Sequence, residues 1–174
     1  MIVTKIKGGL GNQMFQYAFG RNLAIRNKTN LGLDLSFYEE NNEREFNLDI
    51  FNIDANIIDK KKIFFKNYFE VDSIFRLLKT HTKCHYIKEN QFNFNPEMLM
   101  LKDGIYLDGY WQTEKYFKEI EHIIRSDFTF KQNKINKQEK IENQINTTNS
   151  VSIHVRRGDY VNHPQRSAKH GTCS

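Results

Sequence analysis

An α/β fold built on a parallel sheet is what this sequence predicts, and three observations carry the prediction. Residues 2–35 read strand–helix–strand. Residues 104–125 repeat the order of strand, then helix. Residues 151–155 form one more apolar alternation, which runs straight into a polar turn. Strands that alternate with helices are the mark of crossover units, and crossover units lay their strands parallel.

The elements follow in chain order. Residues 2–7 (IVTKIK) alternate weakly as a strand, and Gly8-Gly9-Leu10-Gly11 is a turn. Asn12 opens a helix to about Asn27, with Phe15, Ala18, Phe19, Asn22 and Leu23 near helical spacing. Asn12 is its expected N-cap, because the side-chain oxygen can accept a free backbone N–H. In residues 30–35, Leu31, Leu33 and Leu35 share one face of a second strand. Residues 39–49 are polar and read as a loop. Residues 61–79 set Phe64, Phe65, Tyr68, Ile74, Phe75 and Leu78 against lysines, the pattern of an amphipathic helix. A short strand is expected at Tyr86–Ile87, a strand at 104–109 and a helix from Thr113 to about Arg125. Residues 131–140 read as solvated helix or loop, and residues 146–150 (NTTNS) as a linker.

Composition narrows the class. The chain has 174 residues, 39% hydrophobic and 27% charged, which suits a packed domain rather than a disordered chain. A net charge of +5 admits nucleic acid, an anionic surface or an anionic small substrate without choosing among them. Cys84 and Cys173 are too far apart for a metal-ligand spacing, so no metal site is expected. No signal peptide and no transmembrane run is visible, and the expected location is cytoplasmic.

Three stretches can carry chemistry. In His154-Val155-Arg156-Arg157-Gly158-Asp159-Tyr160, a strand ends in two adjacent arginines. Ligands of open α/β sheets bind at the carboxyl ends of strands. Two guanidiniums there can clamp a diphosphate with forked hydrogen bonds. The alternative is a surface ion-pair cluster. In Gly8-Gly9-Leu10-Gly11-Asn12-Gln13, a glycine turn leads into a helix N-terminus, a common anion site. Met14 stands where a dinucleotide fingerprint needs its third glycine, so a tight turn without a ligand is the alternative. In Gly109-Tyr110-Trp111-Gln112-Thr113-Glu114, an aromatic ring and an amide suit a sugar, the ring by stacking and the amide by hydrogen bonds. Core packing of Tyr110, Trp111 and Phe117 is the alternative.

Taken together these stretches resemble the alpha-1,2-fucosyltransferase family. Gly8-Gly9-Leu10-Gly11-Asn12-Gln13-Met14-Phe15-Gln16-Tyr17-Ala18 matches its N-terminal pattern, and His154, Arg156, Arg157 and Asp159 match its H-x-R-R-x-D donor motif. Residues 109–117 and Glu45-Phe46-Asn47-Leu48-Asp49-Ile50-Phe51 resemble two blocks in between. The resemblance implies a two-domain, GT-B-type glycosyltransferase with facing Rossmann-like halves. Residues 1–148 would be the acceptor-side half, and residues 149–174 only the start of the half that binds GDP-fucose. It implies transfer of L-fucose from GDP-fucose to O2 of a galactoside, inverting and metal-independent, with no cofactor beyond the donor. Arg157 and Asp159 would be catalytic. His154, Arg156, Arg157, Gly158 and Tyr160 would bind donor, with Gly9, Gly11, Asn12 and Gln13 opposite them. Trp111, Gln112 and Glu114 would bind the acceptor glycan.

Members of that family continue well past the donor motif. Residues 151–174 are therefore expected to be poorly anchored, and this chain alone to bind GDP-fucose weakly and to lack activity. The alternatives are an alpha-1,6 class of fucosyltransferase, which the GGLGNQMFQYA start disfavours, and a non-catalytic nucleic-acid-binding module, which the dispersed lysines disfavour. Peripheral contact with the inner face of a membrane through residues 61–79 is a further alternative.

Overall fold

The computed structural model describes residues 1–40, 44–59, 63–65, 82–131, 139–153 and 155. Six parallel strands make one sheet: β1 (Ile2–Lys5), β2 (Leu31–Asp34), β3 (Asn56–Ile58), β4 (Ile63–Phe65), β5 (Thr82–Lys88) and β6 (Ile105–Asp108). Their order across the sheet is β3-β2-β1-β6-β5-β4. The helices are α1 (Leu10–Arg26), α2 (Ser36–Glu40), α3 (Glu121–Asp127) and α4 (Glu139–Thr147). The α/β class with a parallel sheet is thus as expected.

Period-two alternation divides β1 between two faces. Ile2 and Ile6 join the main core with Tyr17, Phe19, Leu23, Leu33 and Leu107. Val3 turns to the other face, where it packs with Cys84 and Tyr106. Burial raises the pKa of the Cys84 thiol above its ordinary value. The helix α1 lies close on the first face because residue 20 is glycine. A Cβ there would stand 2.3 Å from Thr4 Oγ1 and 2.9 Å from Leu31 Cδ1.

Several expectations need correction. The N-cap of α1 is Gly9, not Asn12, because Gly9 is extended and its carbonyl already accepts from Gln13 N at 3.1 Å. The polar stretch 39–49 is not all loop: α2 reaches Glu40, and Leu48–Ile50 form a 3-10 turn. Within the helix expected at 61–79, Ile63–Phe65 instead pair with Thr82–Cys84 as a strand. A short apolar run satisfies either period, and here sheet pairing decided it. Residues 61–62 and 66–79 lie outside the described residues. The strand at Tyr86–Ile87 extends over the whole of β5. The helix expected from Thr113 is two 3-10 turns followed by α3, since Phe117 at φ −142° interrupts helical backbone. The chain divides into two compact units, residues 1–135 and 136–174, with α4 in the second. It runs to Thr147, into the stretch read as linker.

Val151–Val155 is not a strand where it is described: residues 151–153 and 155 have no strand partner, and strands exist only through pairing. Val151 is 86% exposed and Ile153 83%. No helix of the described residues is long and apolar enough to cross a membrane.

Candidate functional site

Two of the three sequence stretches meet at the carboxyl edge of the sheet, after the adjacent strands β1 and β6. The first is the turn into α1. Gly8 holds φ +79°, a backbone region that side chains with a Cβ enter at a cost. The turn is fastened from two sides by glutamines of α1. Gln13, fully buried, donates to the carbonyls of Gly8 at 3.0 Å and Glu45 at 2.8 Å, and accepts from Asn47 N at 2.9 Å. Gln16, also buried, accepts from Lys7 N at 2.9 Å and donates back to the Lys7 carbonyl at 3.2 Å. The Tyr38 hydroxyl donates to the Gly8 carbonyl at 2.9 Å. Gln13 therefore spends its amide on architecture, not on a ligand.

Gly9 and Gly11 stay open: a Cβ on either would meet nothing within 4 Å. The first turn of α1 carries no acidic residue and no side-chain cap. Its leading N–H groups and the positive end of its dipole are thus available to an anion.

The second turn follows β6 and is built differently. Trp111 holds φ +54°, unusual for a bulky residue. The carboxylate of Glu89, just past the end of β5, secures it by accepting from Tyr110 N at 2.6 Å and Trp111 N at 3.1 Å. Backwards rotation at this point turns the Trp111 ring inward. It is 1% exposed and lies 4.9 Å from the Phe19 ring and 5.8 Å, edge-on, from Tyr116. Stacking of a sugar on an open Trp111 face is therefore not what this geometry offers; the ring is core. Gln112 points the other way, is exposed, and donates to Asn12 Oδ1 at 2.7 Å. That bond ties the two turns together. Glu114 is exposed and, with Gly11 and Phe15, lines a largely apolar cavity of about 410 Å³.

Next to these turns stands a charged group at the strand ends. Lys7 Nζ lies 2.6 Å from Asp108 Oδ1, Lys5 Nζ lies 3.8 Å from Asp108 Oδ2, and Tyr86 donates to the same carboxylate at 2.6 Å. Burial works to raise the Asp108 pKa, but the hydrogen bonds from Lys7 and Tyr86 and the two lysine charges outweigh it and hold the carboxyl below its ordinary range. The Tyr86 phenol is pushed up to about 12, by burial first and then by Asp108. Asp34, at the end of β2, is buried and occupied by the Tyr106 hydroxyl and by Ser36 N. This is the position from which a dinucleotide-binding sheet reads a ribose, and here it is closed.

A further cavity, of about 440 Å³, opens between the loop after β5 and the Trp111 turn. Its wall includes Asn90, Gln91 and Asn93, which the sequence reading passed over. The alternation of amides and aromatics in Asn90-Gln91-Phe92-Asn93-Phe94-Asn95 was the available signal. His154, Arg156, Arg157, Gly158, Asp159 and Tyr160 lie outside the described residues. Among the described residues no group of three or more His, Cys, Asp or Glu could hold a metal ion.

Comparison with known proteins adds the lineage. The profile of glycosyl transferase family 11 matches residues 1–174. The chain is 34% identical over 177 residues to a protein of Escherichia coli named alpha-1,2-colitosyltransferase, covering 100% of this chain and 60% of that protein. It is 31% identical over 193 residues to the O-antigen biosynthesis glycosyltransferase WbnK of Escherichia coli, covering 95% of this chain and 62% of that one. The chain thus spans about 60% of the length of these relatives. No solved structure gives a significant match.

Proposed function

The chain belongs to glycosyl transferase family 11, and from that membership we propose that the complete protein transfers L-fucose from GDP-fucose to O2 of a galactoside, inverting the anomeric carbon without a metal. The observation that supports this most is the pair of turns at the ends of β1 and β6, joined through Asn12 and Gln112. The first brings an uncapped helix N-terminus to that edge. The second brings an exposed amide there and, beside it, an amide-lined cavity. The edge thus has groups suited to an anion and groups suited to hydroxyls.

The chemistry is a single in-line displacement. The acceptor oxygen forms a bond to the anomeric carbon as the bond from that carbon to the β-phosphate oxygen breaks. GDP leaves with the electron pair, and the acceptor proton passes to a base. In this proposal Arg156 and Arg157 take up the charge of departing GDP, His154, Gly158 and Tyr160 line the donor pocket, and Asp159 orients the arginines. Gly9, Gly11 and Asn12 present backbone N–H groups, while Gln112 and Glu114 serve the acceptor. A GT-B-type pairing of two Rossmann-like halves belongs to the same proposal. So does a cytoplasmic location with peripheral membrane contact, since the donor is a cytosolic nucleotide sugar.

The test is Arg157→Ala in the complete protein. An oriented donor that stabilises developing negative charge contributes about 2.7–4 kcal/mol, so turnover should fall about 100- to 1,000-fold. Near-normal turnover refutes the assignment.

A second reading keeps the α-1,2 linkage and changes the sugar. It is favoured by the 34% identity to a protein named alpha-1,2-colitosyltransferase. Colitose lacks one ring hydroxyl that fucose has. A site that hydrogen-bonds that hydroxyl rejects the deoxy sugar strongly, whereas a site without such a partner does not. Competition between GDP-fucose and GDP-colitose in one reaction separates the two readings.

A further inference from the structure

We infer that the cavity between the loop after β5 and the Trp111 turn is a binding subsite for one neutral sugar ring of the acceptor glycan. Its volume, about 440 Å³, is that of a small-molecule site. Three features of its wall select the ligand class.

The first is a set of uncommitted amides. Asn90, Gln91 and Asn93 line the cavity, and among the described residues their side chains make no hydrogen bond. An amide offers a donor and an acceptor side by side, which matches a pair of vicinal hydroxyls. Asn95, by contrast, is committed: its Oδ1 accepts from Glu97 N at 2.9 Å, and its own N–H donates to the Tyr116 hydroxyl at 3.0 Å. Committed Asn95 fixes the loop that carries the three free amides.

The second is aromatic surface. Phe94 is the half-buried ring of the wall, 5.0 Å from the Tyr116 ring, which together with Trp111 backs the cavity as buried core. The buried Trp111 Nε1 has no acceptor among the described residues. A buried donor without an acceptor is uncommon and calls for a reason.

The third is charge balance. Lys88 and Glu89 both line the cavity, so its formal charge is zero. An acidic sugar would be drawn to Lys88 but repelled by Glu89, and an amino sugar the reverse. A neutral ring meets neither penalty, and the free amides serve its hydroxyls. The loops that form the cavity follow β5 and β6, so it lies on the carboxyl edge where ligands of such sheets bind.

That the sugar belongs to the acceptor rests on the proposed transferase reading; that the cavity takes a neutral sugar does not. The test uses binding to the whole chain, which needs no turnover. Trp111 is the sole tryptophan, so its indole N–H gives one resonance. Titration with lactose and with maltose should move that resonance and the side-chain amides of Asn90, Gln91 and Asn93. Glucuronic acid should move them less at equal concentration. The Asn90→Ala/Asn93→Ala variant should weaken the better disaccharide about tenfold, while Glu119→Ala, which breaks only the surface pair with Arg26, should bind as the parent does. Absence of any shift with both disaccharides overturns the inference. So does equal affinity in the double variant, or tighter binding of glucuronic acid. Failure of fucose transfer by the complete protein, with these shifts intact, overturns the transferase reading and leaves a saccharide site.

Discussion

The two turns at the carboxyl edge solve one geometric problem with different chemistry. Each must reverse the chain direction sharply after a parallel strand, and each uses a residue with positive φ. After β1 that residue is Gly8, which enters the region without steric cost, and the fastening comes from Gln13 and Gln16 of the following helix. After β6 the residue is Trp111, for which the same backbone is strained, and the fastening comes from a carboxylate on a neighbouring loop. The first turn takes its glutamine fastening from the helix that directly follows it, with Tyr38 and the 45–47 segment bonded on from further along the chain. The second depends on Glu89, and so on the correct placement of β5. The lesson is that a local motif can be read locally only when its supports are local.

Four substitutions test that contrast. Glu89→Ala should have the largest effect. It removes two hydrogen bonds to a charged acceptor and releases a strained turn, and bonds of that kind contribute about 1.5–3 kcal/mol each. We expect a loss of about 3 kcal/mol in urea unfolding, with Glu89→Gln intermediate; an unchanged midpoint would mean that the Trp111 ring alone holds the turn. Gln13→Ala should come next, at about 2 kcal/mol, because it leaves part-buried backbone groups of Gly8, Glu45 and Asn47 without their partner. Gly8→Ala should cost about 1–2 kcal/mol for the left-handed backbone. Its Cβ would also come within 2.7 Å of Asn12 Nδ2. Pairing Gly8→Ala with Asn12→Ala removes the contact but not the backbone cost, so a double-mutant cycle measures each. Gln112→Ala should be the smallest, under about 0.5 kcal/mol, since its bond to Asn12 is exposed. A larger loss there would show the two turns to be coupled rather than merely adjacent.

The same contrast governs what was legible in the residues. The start of the fold was readable because IVTK, LGLD and the α1 pattern sit within one short stretch, with glycines at the turn. Strand β6 was readable for a similar reason, as Ile105 to Leu107 is a fully buried run bounded by glycines. Strand β3 was not, since Asn56–Ile58 is three residues, two of them exposed, and only pairing with β2 makes it a strand. β4 was hidden by its phenylalanines, which fit a helical face equally well. At the site, the glycine turn and the Gln112 turn were found, but Gln13 was given to a ligand and Trp111 to a sugar. Side-chain type shows what a residue can bind, and burial decides whether it is free to do so. The amide tract at 90–95 was missed because amides in an Asn-rich chain carry little local signal until a cavity gathers them.

The register of the sheet has a consequence for synthesis. Strand β1 is made before β2, which covers one of its edges about thirty residues later. Its other edge pairs Ile2 with Ile105, so it waits until the whole stretch through β6 has been made. At about 5–20 residues per second the delay is roughly 5–20 s. During that time a strand that is largely buried in the finished sheet has an open hydrogen-bonding edge, a template for pairing with another nascent chain. Slower translation through residues 35–104 would lengthen this exposure, and with it the demand for chaperones.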